Sequence, residues 1–180
     1  AVCPLHYHMT DSWWLKVKRA QKHMIELDRA IRPYIRSNPH EFVRIGQPDY
    51  KGEVWCKVRT TSQPNPMLPF ILGDFIHNLR TALDHIVVAC VPVKHRGSAS
   101  FPIVYEDIWA VDENGDFVIK NQERRQNFER AIRDIDPRAR AVIEQVQPYK
   151  YGEDAFLNSV GILSRLDNAD KHRDLVIFGS

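Results

Sequence analysis

The chain has 180 residues, with 25 Lys and Arg against 23 Asp and Glu and a net charge of +2, the size of one domain, spanning residues 1–180, with its own core. A balanced charge excludes the strongly basic composition of a dedicated nucleic-acid or membrane-surface protein, so any such role must rest on local clusters. The three cysteines Cys3, Cys56 and Cys90 are odd in number and far apart; this fits a reducing, cytoplasmic setting, and no apolar run nears the ~20 residues that span a bilayer.

In chain order, Thr10 or Asp11 caps a first helix over about residues 11–36. Its apolar positions, Trp13, Val17, Ala20, Met24, Leu27, Ile31 and Tyr34, alternate in fours and threes like a bundle seam. Its other faces carry Lys16, Lys18, Arg19, Lys22, Arg29, Arg32 and Arg36, the usual dress of a solvated helix. Glu41 to Ile45 and Glu53 to Arg59 read as strands of a β-hairpin. A Pro-rich stretch then leads into a second long helix, Ile71 to Val91, which Pro92 stops. Phe101 to Tyr105 and Phe117 to Lys120 suggest a second hairpin around Glu-Asn-Gly-Asp. Helices follow over Gln122 to Ile135, from the Asp136-Pro137 cap to Val146, and over Ala155 to Asp170 with Phe156, Leu163 and Leu166 inward. Asp174 to Phe178 reads as a final strand. The expected fold is mainly α, a bundle of four to five helices with one or two small β-hairpins in its connections.

The second long helix holds the most informative residues. At about 100° per residue, Phe75, Leu79, Ala82, Leu83, Ile86 and Val87 share one side. The other side gathers Asp74, His77, Asn78, Arg80, Thr81, Asp84 and His85, short and reactive groups in place of the long solvated chains of an ordinary surface. A second concentration, Leu166-Asp-Asn-Ala-Asp-Lys-His-Arg, brings Asp170, Lys171, His172 and Arg173 to the end of the last helix, where basic groups also suit the helix dipole.

Arg80, four residues and His85 on a bundle helix resemble the signature of the HEPN superfamily, helical bundles that include metal-independent ribonucleases of toxin and defence systems. The resemblance implies that His85 exchanges protons with a ribose 2′-hydroxyl and that Arg80 grips the scissile phosphate. Five residues turn a helix by about 140°, so the two diverge within one chain and a homodimeric composite site is expected. The plain alternative is that Arg80 pairs with Asp84 one turn away. The longer pattern Gly-Asp-Phe-Ile-His-Asn-Leu-Arg-Thr-Ala-Leu-Asp-His, with Asn-Ala-Asp-Lys-His-Arg later, resembles an uncharacterised bacterial family with "GDxxHNLRxALDH" and "NxxDKHR" segments, a likeness that implies no particular activity.

The expected function is therefore RNA binding or metal-independent RNA cleavage, with no cofactor. Arg80, His85, His77, Asp84 and His172 are its catalytic candidates, and Asn78, Asp74, Lys171 and Arg173 its binding candidates. Two other readings stay open. Asp74, His77 and Asp84, with Asp170 or His172 from the last helix, carry donor types that ligate a divalent metal between bundle helices. The other is a non-catalytic module whose polar face serves only dimerisation or partner binding. No Gly-rich phosphate loop or nucleophile elbow is present.

Overall fold

A computed structural model describes residues 12–47, 51–106, 109–111, 117–119 and 121–172, with side chains from 109 to 119 and at 172 outside the description. The chain is mainly α. Helices α1 (Ser12–Arg36), α2 (Leu68–Cys90), α3 (Gln122–Ala131), α4 (Pro137–Gln145) and α5 (Ser159–His172) alternate with hairpin β1 (His40–Ile45) and β2 (Trp55–Thr60), and with a short hairpin of β3 (Trp109–Val111) and β4 (Phe117–Ile119). Two 3₁₀ segments, Val93–Ser98 and Pro148–Leu157, complete the order. No described helix is long and apolar enough to cross a membrane.

The long helices α1 and α2 pack on one another. They run antiparallel, since Arg29 and Ala30 late in α1 lie beside Met67 and Ile71 at the start of α2. The α1 seam is rotated from its expected position. Ala20, Tyr34 and His23 are buried while Met24 is 51 % exposed, because turning the contact stripe by some 30–40° about the axis takes in position 23 and releases position 24. Pro33 is accommodated one turn before the helix ends, where few i to i−4 bonds remain to be lost. Asn38 then closes the helix in the left-handed region at φ 46°.

The caps follow the sequence signals where those are specific. Asp136 Oδ1 accepts the Arg138 N–H at 2.8 Å with Pro137 in the first turn, and Asn121 Oδ1 accepts the Arg124 N–H at 2.9 Å. Val91 is extended, as a residue before proline prefers. The main core forms where the second half of α2 meets α3 and α4, with Val87, Val91, Phe101, Phe128, Ile132, Ile135 and Ile143 buried together.

Three expectations shift. Residues 101–104 form no strand: they cross the core as irregular chain, and the second hairpin instead pairs Trp109 with Ile119 and Val111 with Phe117. What holds the crossing is Gln147, fully buried, whose side-chain N–H groups donate to the Pro102 and Ile143 carbonyls while its Oε1 accepts the Val104 N–H at 3.0 Å. The last helix starts at Ser159 rather than Ala155, because Asn158 Oδ1 caps it by accepting the Val160 and Gly161 N–H groups, both at 3.0 Å. Phe156 consequently lies outside α5 and is 57 % exposed, and Leu166 is also exposed. The strand expected over 174–178 lies outside the described residues.

Candidate functional site

The polar face of α2 splits into two columns. Gly73, His77, Arg80 and Asp84 recur at four, three and four residues and line up, while Asp74, Asn78 and His85 form a neighbouring column rotated by roughly 100°. The first column meets α5 and residue 101; the second runs along its flank.

α5 crosses the first column antiparallel, with Asp167 beside His77 and Asp170 beside Gly73. The two sequence motifs therefore come together within one chain. Gly73 makes the crossing close: a Cβ there would lie 2.8 Å from the Asp170 carboxyl carbon, so any other residue displaces the carboxylate. One turn on, Asp167 is 2 % exposed, and its Oδ2 accepts from Lys171 Nζ at 2.5 Å. The other oxygen, Oδ1, is buried without a hydrogen bond and lies 3.4 Å from His77 Nδ1, within charge attraction but beyond a formed bond. His77 itself is half open to solvent, with a side-chain exposure of 55 %, and its Nε2 stands 3.5 Å from Thr81 Oγ1. The result is a row of cation, buried carboxylate and accessible imidazole.

Arg80 is employed differently. Its Nη1 donates to Asp84 Oδ1 at 2.9 Å and its Nη2 to the Phe101 carbonyl at 3.0 Å, while the Phe101 N–H donates to the same Asp84 oxygen at 2.9 Å. This closed ring pins residue 101 against α2 so that its phenyl ring reaches the core. Part of the guanidinium's donor capacity is thereby spent on the fold, as the Arg80–Asp84 alternative anticipates. His85 lies round the helix from Arg80, and its Nδ1 is buried with no hydrogen-bond partner. Asn78 is buried and donates to the Asp74 carbonyl at 2.7 Å, a local helix contact. Asp74 is exposed. His172 ends α5 with its side chain outside the description, and Arg173 lies outside the described residues.

Metal ligation has less to work with. Asp84 is engaged by Arg80 and the Phe101 N–H, and stands about 10 Å along the helix from His77. Among the described residues no group of three or more His, Cys, Asp or Glu gathers closely enough to hold an ion.

Asp167 is the residue that sequence reasoning passed over. Its signal was the line Val160, Ser164, Asp167, spaced by four and three, which places a carboxylate where a helix ordinarily buries an aliphatic side chain. The surroundings of the site are no guide from outside the molecule: no protein-family model matches the chain, and neither a curated protein nor a solved structure is significantly similar to it.

Proposed function

We propose that this chain acts on RNA as a metal-independent ribonuclease, with His77 rather than the His85 of the HEPN resemblance as its proton-transfer group. The observation that carries the reading is the buried Asp167 carboxylate facing the accessible His77 imidazole across the α2–α5 contact. A neutral imidazole with Nδ1–H directed at Asp167 leaves Nε2 unprotonated, with only the long Thr81 hydroxyl contact at 3.5 Å to give up before it takes the proton of a ribose 2′-hydroxyl. The 3.4 Å separation closes to a hydrogen bond once positive charge develops on the ring, and that strengthening favours the transition state over the ground state. Lys171, bound to the other Asp167 oxygen and half exposed, fixes the carboxylate and adds positive charge for a phosphate. Arg80 supports this arrangement by positioning residue 101.

The test is cleavage of a single-stranded RNA by the purified protein in excess chelator. His77→Asn is expected to abolish cleavage. Asp167→Asn is expected to lower the maximal rate by about 10²–10⁴-fold, the span of a general-base contribution, and to change the pH profile. Cleavage that survives His77→Asn but is lost with His85→Asn would return the role to His85; absence of cleavage by the unaltered protein would remove the enzyme reading.

A second reading, homodimerisation, has its own support. Hairpin β1–β2 exposes apolar groups on both faces, with Phe42 at 79 % and Trp55 at 73 % exposure, and an isolated two-stranded hairpin is marginal in water. Light-scattering mass of the same preparation decides it, a monomer being the contrary result.

A further inference from the structure

Away from the α2–α5 contact, the segment 98–106, α3 and the 3₁₀ stretch before α5 enclose a cleft of about 690 Å³, within the range of small-ligand pockets. Its lining sorts by chemistry. Tyr105 and Phe156 stack at 6.0 Å with their planes 26° apart, and the Arg165 guanidinium lies 5.4 Å from the Phe156 ring centre. The Tyr105 hydroxyl donates to the Gly161 carbonyl at 2.7 Å, which fixes its ring. The aromatic wall is therefore held in place before any ligand arrives.

Across from it, α3 contributes a polar wall. Arg124 is paired with Glu106, the lining carboxylate. Arg130 is held only by Asn127 Oδ1, at 2.9 Å from Nη2, so a guanidinium without an acidic partner among the described residues remains in the cleft. The lining charge is one cation in excess, beside an apolar ring platform and the hydroxyl of Ser100.

We propose that this cleft binds a nucleoside phosphate, with the base against the Tyr105 ring that Phe156 backs and the phosphate on Arg130. Ring stacking is tolerant of base identity, and a guanidinium fork matches phosphate oxygens. The same chemistry arises from a free mononucleotide or from one unit of a single-stranded RNA. The assignment goes beyond the cleavage reading and does not depend on proton transfer at His77.

The experiment is titration calorimetry of the intact protein with AMP, adenosine, ribose 5-phosphate and a non-cleavable 2′-O-methyl oligoadenylate. AMP or the oligomer is expected to bind more tightly than ribose 5-phosphate. Arg130→Ala should weaken the phosphate-bearing ligands by roughly tenfold and leave adenosine unchanged. Phe156→Ala should weaken AMP and adenosine by roughly tenfold and leave ribose 5-phosphate unchanged. Both side chains are exposed, so melting temperatures close to that of the unaltered protein separate lost binding from lost folding. Binding of AMP as well as the oligomer identifies a free-nucleotide site, and binding of the oligomer alone identifies an RNA subsite; either upholds the assignment. No binding of either, or binding indifferent to Arg130→Ala and Phe156→Ala, overturns it. A protein that binds AMP in this pattern without cutting RNA retains the cleft and loses the cleavage reading.

Discussion

From Ala82 on, α2 and the extended Val91 that follows it bury Val87 and Val91 against Phe101, Phe128 and Ile132, whereas between Gly73 and Arg80 the same helix meets α5 through a glycine, an imidazole and the carboxylates of Asp167 and Asp170. The first contact is non-directional, and its strength follows the apolar area removed from water. The second depends on direction and distance, and leaves Asp167 Oδ1 buried without a hydrogen bond, an arrangement that costs stability rather than supplying it. One helix thus packs the main core with its second half, while its first half buries Leu68, Ile71 and Ile76 on one side and presents reactive groups to α5 on another. Unsatisfied polarity, at Asp167 Oδ1 and at His85 Nδ1, is tolerable because the apolar contacts around it are well packed.

Substitutions in the two halves should separate these roles. The largest effect belongs to the apolar half: Ile132→Ala, at a position 1 % exposed, is expected to cost about 2–5 kcal/mol in denaturant unfolding, through lost burial and the cavity left behind. A cost below about 1 kcal/mol would mean that the core is loosely packed and the contrast between the halves is false.

The polar half should give a smaller effect that depends on its partner. Gly73→Ala forces the Asp170 carboxylate off its seat, against the gain of about 0.5–1 kcal/mol that alanine brings to a helix interior. In an Asp170→Ala background that gain should appear in full. The double-mutant cycle should therefore return a coupling of roughly 0.5–3 kcal/mol; additive effects would show that α5 does not sit on Gly73.

Outside both halves, Arg140 tests what a well-formed surface pair contributes. Its Nη1 and Nη2 donate to the two Glu129 oxygens at 2.8 and 2.7 Å. These bonds hold the Glu129 carboxyl below its usual range, while the guanidinium is held above its own. Because the folded value of Glu129 is depressed, its contribution is complete above the unfolded value, about 4.3, and is lost as pH falls through the folded one. Both side chains are more than a third exposed, so solvent limits the effect to under about 1 kcal/mol. Glu129→Gln should lower stability at pH 7, where the pair is fully formed, by under about 1 kcal/mol and change little well below about pH 4, as read from urea midpoints; an equal loss at both pH values would assign the effect to packing.

Much of this molecule was legible in the chain. Period and punctuation located the five helices, the first hairpin and the Asp136-Pro137 start of α4, since each depends on residues within a turn or two of one another. The α2 face was legible for the same reason. Asp167 was not read from the chain: the expected inward residues of the last helix were Phe156, Leu163 and Leu166, and a lone carboxylate carries no partner's name.

The sequence by itself determined which helices form, where α1, α2 and α4 stop to within a residue and which side of α2 is polar, because helix periodicity and capping are local, whereas α3 ends at Ala131, short of the expected Ile135. Tertiary structure alone decided that Arg80 closes a ring with Asp84 and the residue 101 backbone, and that residues 101–104 cross the core on Gln147 rather than pairing as a strand. It also decided that His77 faces Asp167. Those contacts join residues 21, 43 and 90 positions apart. Their geometry depends on how the helices pack, which no local pattern encodes.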